Sequence, residues 1–191
     1  TFLSNLMPEL LTETVADDLY LYADQKAPLA LANLPAHATV RTMPYRNMLS
    51  SVKHDAFMRG DMARDGVQVA HFPANVGLGP GSARTVLTIH DEINLMPLRE
   101  IWRGHRKQTR VIGMMTYLHF LPRLSAQRAD VILTVSEYAR QRIASQGGID
   151  PSRIVPVWHG CPADMRVIHD QEKLAAVRLK HGIQKPFILA E

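Results

Sequence analysis

Four short apolar runs, each ending abruptly in polar residues, constrain this chain more than any other feature. Val67-Gln68-Val69-Ala70 leads into His71-Phe72-Pro73, and Thr85-Val86-Leu87-Thr88-Ile89 into His90-Asp91-Glu92. Val131-Ile132-Leu133-Thr134-Val135 leads into Ser136-Glu137-Tyr138, and Ile154-Val155-Pro156-Val157 into Trp158-His159-Gly160. Near-continuous β-branched runs suit parallel strands covered on both faces. In open α/β sheets, ligands sit in the crevice outside the carboxyl ends of the strands. The expectation is a Rossmann-like α/β domain with strands near 67–70, 84–89, 131–135 and 154–157, and with His71, His90, Ser136 and His159 along one edge.

Helical patterns fill most of the intervals. Thr1 caps a helix from about Phe2 to Thr14, and short strands at Leu19–Tyr22 and Thr39–Thr42 flank a loop holding Pro28 and Pro35. Residues from about Arg46 to Arg64 read as a helix broken or bent near Gly60. A long crossover runs from about Leu98 to Arg128, with Pro122 bending it or ending its first section. Its length fits the connection between parallel strands. Within it, Met114, Met115, Tyr117, Leu118, Phe120 and Leu121 read as a core stripe. A helix from about Glu137 to Gln146 stops at Gly147-Gly148, and a last one, about Gln171 to His181, has Gly182 at its C′ position. Lys185 to Glu191 begins another apolar strand.

Several functions are excluded by what these motifs lack. Asn75-Val76-Gly77-Leu78-Gly79-Pro80-Gly81 does not match G-x-G-x-x-G and leads into a strand, so it reads as a flexible connecting loop able to touch a ligand. A Ser-His-Asp hydrolase fails because Ser136 has no G-x-S-x-G elbow and adjacent His90 and Asp91 are poorly placed for a relay. No H-E-x-x-H motif or cysteine pair supports a metal hydrolase, and His90 with Asp91 supplies two ligands at most. No stretch approaches the roughly 20 apolar residues of a membrane span. The single cysteine, Cys161, permits no internal disulfide and fits a reducing compartment. Arg99, Arg103, Arg106, Lys107 and Arg110 form either a solvated helix face or a patch for phosphates, nucleotide sugars or anionic headgroups. Nucleic acid fits this charge alone, without the aromatic interleaving of single-strand binders.

Taken in order, Val69-Ala70-His71-Phe72-Pro73, Thr88-Ile89-His90-Asp91, the segment Ala129 to Arg140 and the segment Arg153 to Gly160 resemble glycosyltransferase family 4. More closely, they resemble bacterial mannosyltransferase-like members that carry a Thr-x-His-Asp motif. The resemblance covers about residues 67–162. It implies a GT-B fold, in which two Rossmann-like domains face each other across a cleft. Residues 1–184 then form the acceptor-side domain and residues 185–191 open the donor-binding domain. A first strand with its glycine turn is expected before Thr1. A basic phosphate site and a Glu-x7-Glu motif are expected after Glu191.

The activity so implied is retaining transfer of a mannose-like hexose from a nucleotide sugar, such as GDP-mannose, to a glycan or lipid-linked acceptor in polysaccharide or glycolipid assembly. No metal or other cofactor is implied. The chain alone is expected to be inactive, because one wall of the cleft is absent. His90 matches the family histidine that lines the cleft and contacts the transferred sugar. Asp91 orients His90, shapes the loop by an Asx turn or faces solvent. His71, Phe72 and Asn75 are expected on a loop where an acceptor passes, with Phe72 reading as a core residue before a sugar platform. Ser136 reads as an N-cap whose helix N-terminus also faces the crevice, with Glu137 suiting the dipole and Arg140 a surface or inter-domain contact. The family usually has Asn-Gly where this chain has His159-Gly160, so residue 159 inherits no role. The expected location is cytoplasmic, either free or peripheral on the inner face of the membrane. The alternative is a non-catalytic GT-B-like domain that binds an anionic or glycan partner.

Overall fold

A helix stop at Gly66 sets where the central sheet begins. A computed structural model describes residues 2–25, 34–43, 58–103, 109–160 and 166–186, and the chain divides into two compact units, Thr1–His159 and Gly160–Glu191. In the first unit, helix α1 (Phe2–Glu13) precedes two parallel strands, β1 (Leu19–Asp24) and β2 (Ala38–Met43). Helix α2 is described over 58–64 and runs through Gly60 without a break there. The rest of the helix expected from Arg46 lies outside the described residues.

Gly66 takes a left-handed φ of 70°, and the Val67 N–H returns to the Met62 carbonyl at 3.0 Å. This closure is that of a Schellman stop. Val67, which packs on the core, therefore belongs to the helix stop, and strand β3 begins two residues later than expected, spanning Val69–Phe72. The shift moves His71 and Phe72 from the expected loop into the strand itself.

β3, β4 (Arg84–Thr88), β5 (Val131–Thr134) and β6 (Ile154–Pro156) form one parallel sheet in that order. Phe72, Leu87, Ile132 and Ile154 stand in one row across it and are exposed by 5%, 0%, 0% and 2%. Burying side chains of this size contributes about 1.5–3 kcal/mol each. Ile143 and Ala139 of helix α5 (Glu137–Gly147), together with Leu95 and Ala126, join the same core. The opposite face is less sealed. Val69 and Val155, on the two outer strands, are 62% and 44% exposed, because an outer strand has a neighbour on one side only. The continuous apolar runs thus mark α/β strands flanked by helices, but not two equally covered faces among the described residues.

The β3–β4 crossover has no helix. Residues 73–83 instead lie against the sheet, and two glycines make that possible. A Cβ on Gly77 would fall 1.9 Å from Cγ of Phe72, and one on Gly79 would fall 2.3 Å from Oγ1 of Thr85. The Gly77 N–H donates to Ser125 Oγ at 3.1 Å, and Arg59 Nε donates to the Gly79 carbonyl at 3.0 Å. The segment read as a flexible loop is a packed, hydrogen-bonded crossover.

β4 and β5 are joined through a 3-10 turn (Ile93–Leu95), a short helix α3 (Leu98–Ile101) and helix α4 (Thr109–Arg128). Pro122 does not end α4, so the division of the crossover falls before Thr109. The expected core stripe is only partly core: Met114, Leu118 and Phe120 are 43%, 39% and 58% exposed. Away from the sheet, Asp65 ties β1 and β2 to the end of α2. It accepts from Tyr22 Oη at 2.7 Å and from Arg41 Nη2 at 2.6 Å, contacts that hold its carboxyl below the usual range, those of Arg41 first. Among the described residues, no helix is long and apolar enough to cross a membrane.

In the second unit, α6 (Gln171–Lys180) is capped by Asp170, whose Oδ1 accepts from Glu172 and Lys173 N–H at 3.1 Å. The helix stops at Gly182, with φ 63°. The strand expected from Lys185 lies largely outside the described residues.

Candidate functional site at the carboxyl edge of the sheet

Because the sheet is parallel, the residues following β4, β5 and β6 gather at one edge. His90 is two residues past β4. Its backbone N–H donates to Asn75 Oδ1 at 3.1 Å, and its Nε2 lies 3.1 Å from the Pro73 carbonyl. A carbonyl only accepts, so Nε2 carries the hydrogen of this bond. The ring is half-buried. His159, past β6 and exposed, approaches it edge-on, with centroids 5.8 Å apart and planes at 67°.

Asn75 is the bracket of this site. Its N–H donates to the Thr88 carbonyl at 2.9 Å while its side chain holds the His90 backbone. This double grip requires a positive φ of 51°, the sole non-glycine case among the described residues. Asparagine tolerates that region better than most residues. Sequence reading placed Asn75 near an acceptor path but missed its grip on His90; an asparagine two residues past a proline, before Val-Gly, was the available signal.

Asp91 makes the Asx turn: its Oδ1 accepts from Ile93 N–H at 2.9 Å and starts the 3-10 turn. Glu92 pairs with Arg142 of α5, Oε1 to Nε at 3.0 Å, fastening the β4 loop to the neighbouring helix. Sequence reading missed this pair, whose partners lie far apart along the chain. Ser136 is an N-cap, its Oγ accepting from Ala139 N–H at 3.1 Å. Arg140, one turn on, is engaged with Glu137 at 3.1 Å and with the Pro151 carbonyl.

Two residues expected on the acceptor loop sit elsewhere. Phe72 is a core residue of β3, 5% exposed, and its ring fills the space that Gly77 leaves open, so it presents no platform to a ligand. His71 lies on the exposed side of β3, its Nε2 edge 2.8 Å from Thr88 Oγ1. Burial lowers its pKa. Thr88 and Asn75 thereby link the two histidines: Thr88 meets His71 through its hydroxyl and Asn75 through its carbonyl, and Asn75 holds the His90 backbone.

The edge therefore presents a positioned imidazole, a second imidazole against it and the N-terminus of α5. It offers hydrogen-bond donors and acceptors for a polyhydroxylated or anionic ligand. Among the described residues, no group of three or more His, Cys, Asp or Glu is placed to share a metal ion. The family model of Glycosyltransferase Family 4 matches residues 10–164, a span that includes every strand among the described residues and every residue of this edge. Comparison with curated proteins gave no match.

Proposed function

The chain belongs to glycosyltransferase family 4, and on that premise we propose that it is the acceptor-side half of a retaining, two-domain GT-B enzyme. In this reading residues 1–184 form the acceptor-side domain and residues 185–191 open a donor-binding domain. The enzyme moves a mannose-like hexose from a nucleotide sugar to a glycan or lipid-linked acceptor, with no metal ion. The observation that carries the reading is the grip on His90 at the carboxyl end of β4, by Asn75 at the backbone and Pro73 at the ring.

In retaining transfer, positive charge develops on the sugar ring as the diphosphate departs. Groups already oriented toward that charge stabilise it most, since they need no reorganisation at the moment of reaction. An imidazole fixed at backbone and ring meets this requirement, its edge away from Pro73 facing the transferred sugar. Asp91 acts through the loop it shapes. His71, Asn75 and the Ser136 end of α5 border the acceptor, and Arg140 stands by. Since Phe72 is buried, it has no part in binding.

The test is replacement of His90 in the two-domain enzyme. His90→Ala is expected to lower kcat by about 10²–10³, the scale of losing one preorganised hydrogen-bonding group, with the fold retained. Activity within twofold of wild type would overturn the reading. The proposed chemistry also survives EDTA, while residues 1–191 alone turn over no sugar because alignment needs both walls of the cleft.

A further inference from the structure

The opposite, amino edge of the same sheet carries a second concavity. A groove of about 660 Å³ opens beside the starts of β3, β4 and β5, under the glycine-rich part of the 73–83 crossover. That volume lies within the range of small-molecule sites, about 300–1,000 Å³, and is far larger than a single anion requires. It is separate from the His90 edge, since the parallel strands run from one to the other.

Its walls are cationic. Arg59 comes from α2, Arg84 from the first position of β4 and Arg128 from the last turn of α4. The one carboxylate there, Asp130, is fully engaged: Oδ1 accepts from Arg84 Nη1 and Oδ2 from Thr85 N–H, both at 2.8 Å. These contacts, that of Thr85 first, hold its carboxyl below the usual range, so it balances Arg84 and no more. Arg59 is oriented by its Nε bond to the Gly79 carbonyl, which leaves the terminal edge of its guanidinium to a ligand. Among the described residues, the Arg128 side chain makes no ion pair or hydrogen bond, and it is exposed. Two guanidiniums in excess, at one concave surface, focus positive potential there.

We propose that this groove binds a phosphorylated small molecule of sugar-phosphate size, its phosphate facing Arg59 and Arg128. Guanidinium suits this ligand because its fork presents two parallel N–H donors to phosphate oxygens. Gly79 and Gly81 keep side chains out of the wall facing the arginines, and nothing lies within 4 Å of the position a Gly81 Cβ would occupy.

Calorimetric titration of the chain with glucose 1-phosphate, with glucose as the uncharged control, tests the site. Saturable binding of glucose 1-phosphate is expected, weakening as salt is raised, with no binding of glucose. Arg59→Gln combined with Arg128→Gln should weaken it at least tenfold, and Arg128→Gln alone, at an exposed side chain with no packing role, should weaken it without changing the melting temperature. His90→Ala, at the far edge, should leave it unchanged. No saturable binding, equal binding by the arginine variants, or loss in His90→Ala would each overturn the assignment. The last result would place the phosphate in the crevice and leave the function proposed there intact.

Discussion

The rings of His90 and His159 meet edge-on at 5.8 Å, although β5 separates the strands that deliver them. The contact closes the carboxyl edge of the sheet over the end of β5. It gives His159 a physical task. A neighbouring ring at this distance perturbs the magnetic environment of the other. Replacing His159 by Asn should therefore shift the His90 ring-proton resonances and spare those of His71, which is held by Thr88. Unmoved His90 resonances would mean that the two rings do not meet in solution.

Gly77 and Phe72 provide a test of the packed crossover. Gly77→Ala forces a methyl into the Phe72 ring, and overpacking of this kind costs about 1–3 kcal/mol. Phe72→Ala alone loses core burial, about 3–5 kcal/mol. In the double variant the clash has gone, so adding Gly77→Ala to Phe72→Ala should cost less than adding it to the wild type. Denaturant unfolding of the four proteins measures the difference. Additive costs would show that the loop does not lie on the ring.

These two contacts mark where sequence reading reached its limit. The strands were legible because apolar runs have few other fates, and the cap at Ser136 and stop at Gly182 were legible because they depend on neighbours in sequence. β3 was misplaced because Val67, apolar and β-branched, serves equally well as the hydrophobic end of a helix stop. The glycine loop was misread for a related reason, and Phe72, read as core, was placed after the strand and not in it. Glycines look flexible until the ring that requires them is known, and that ring lies in another element. The same holds for Asn75, whose partner His90 is distant along the chain, and for the exposed side of α4, where periodicity gives a stripe without saying what covers it.

His119 makes stability pH-dependent. It is 6% exposed, and its Nδ1 is buried without a hydrogen-bond partner among the described residues. Burial first, then the charge of Arg123, lowers its pKa from the usual 6.5. The unfolded chain thus takes up a proton that the folded one refuses. The stability this site confers is present above about pH 6.5 and is lost as pH falls from there toward the folded-state value. His119→Gln should flatten, without abolishing, the decline of melting temperature in the window that opens below about pH 6.5, since His71 is lowered in the same direction. Below that window the lowered carboxyls of Asp65, Asp130 and Asp150 produce a second decline in both proteins, from about pH 4 downward. Identical slopes in the upper window would remove His119 as the cause.

The basic segment from Arg99 to Arg110 gives the membrane reading its test. Arg99 and Arg103 are exposed, and so are Trp102, Ile93 and Phe120, by 42%, 58% and 58%. Arg106 and Lys107 lie outside the described residues, as does the side chain of Arg110. A cationic segment together with exposed aromatic and aliphatic side chains suits a headgroup interface, each basic residue adding about 1 kcal/mol of attraction to an anionic surface. The expected behaviour is sedimentation with anionic but not neutral vesicles at low salt, with release as salt screens the charges. Changing Arg103, Arg106, Lys107 and Arg110 together to Gln should abolish it. Trp102→Ala should weaken binding while preserving its salt dependence, because that ring contributes apolar contact and not charge. Equal sedimentation of all forms in every condition would leave the basic segment as a solvated face and the acceptor to be met in solution.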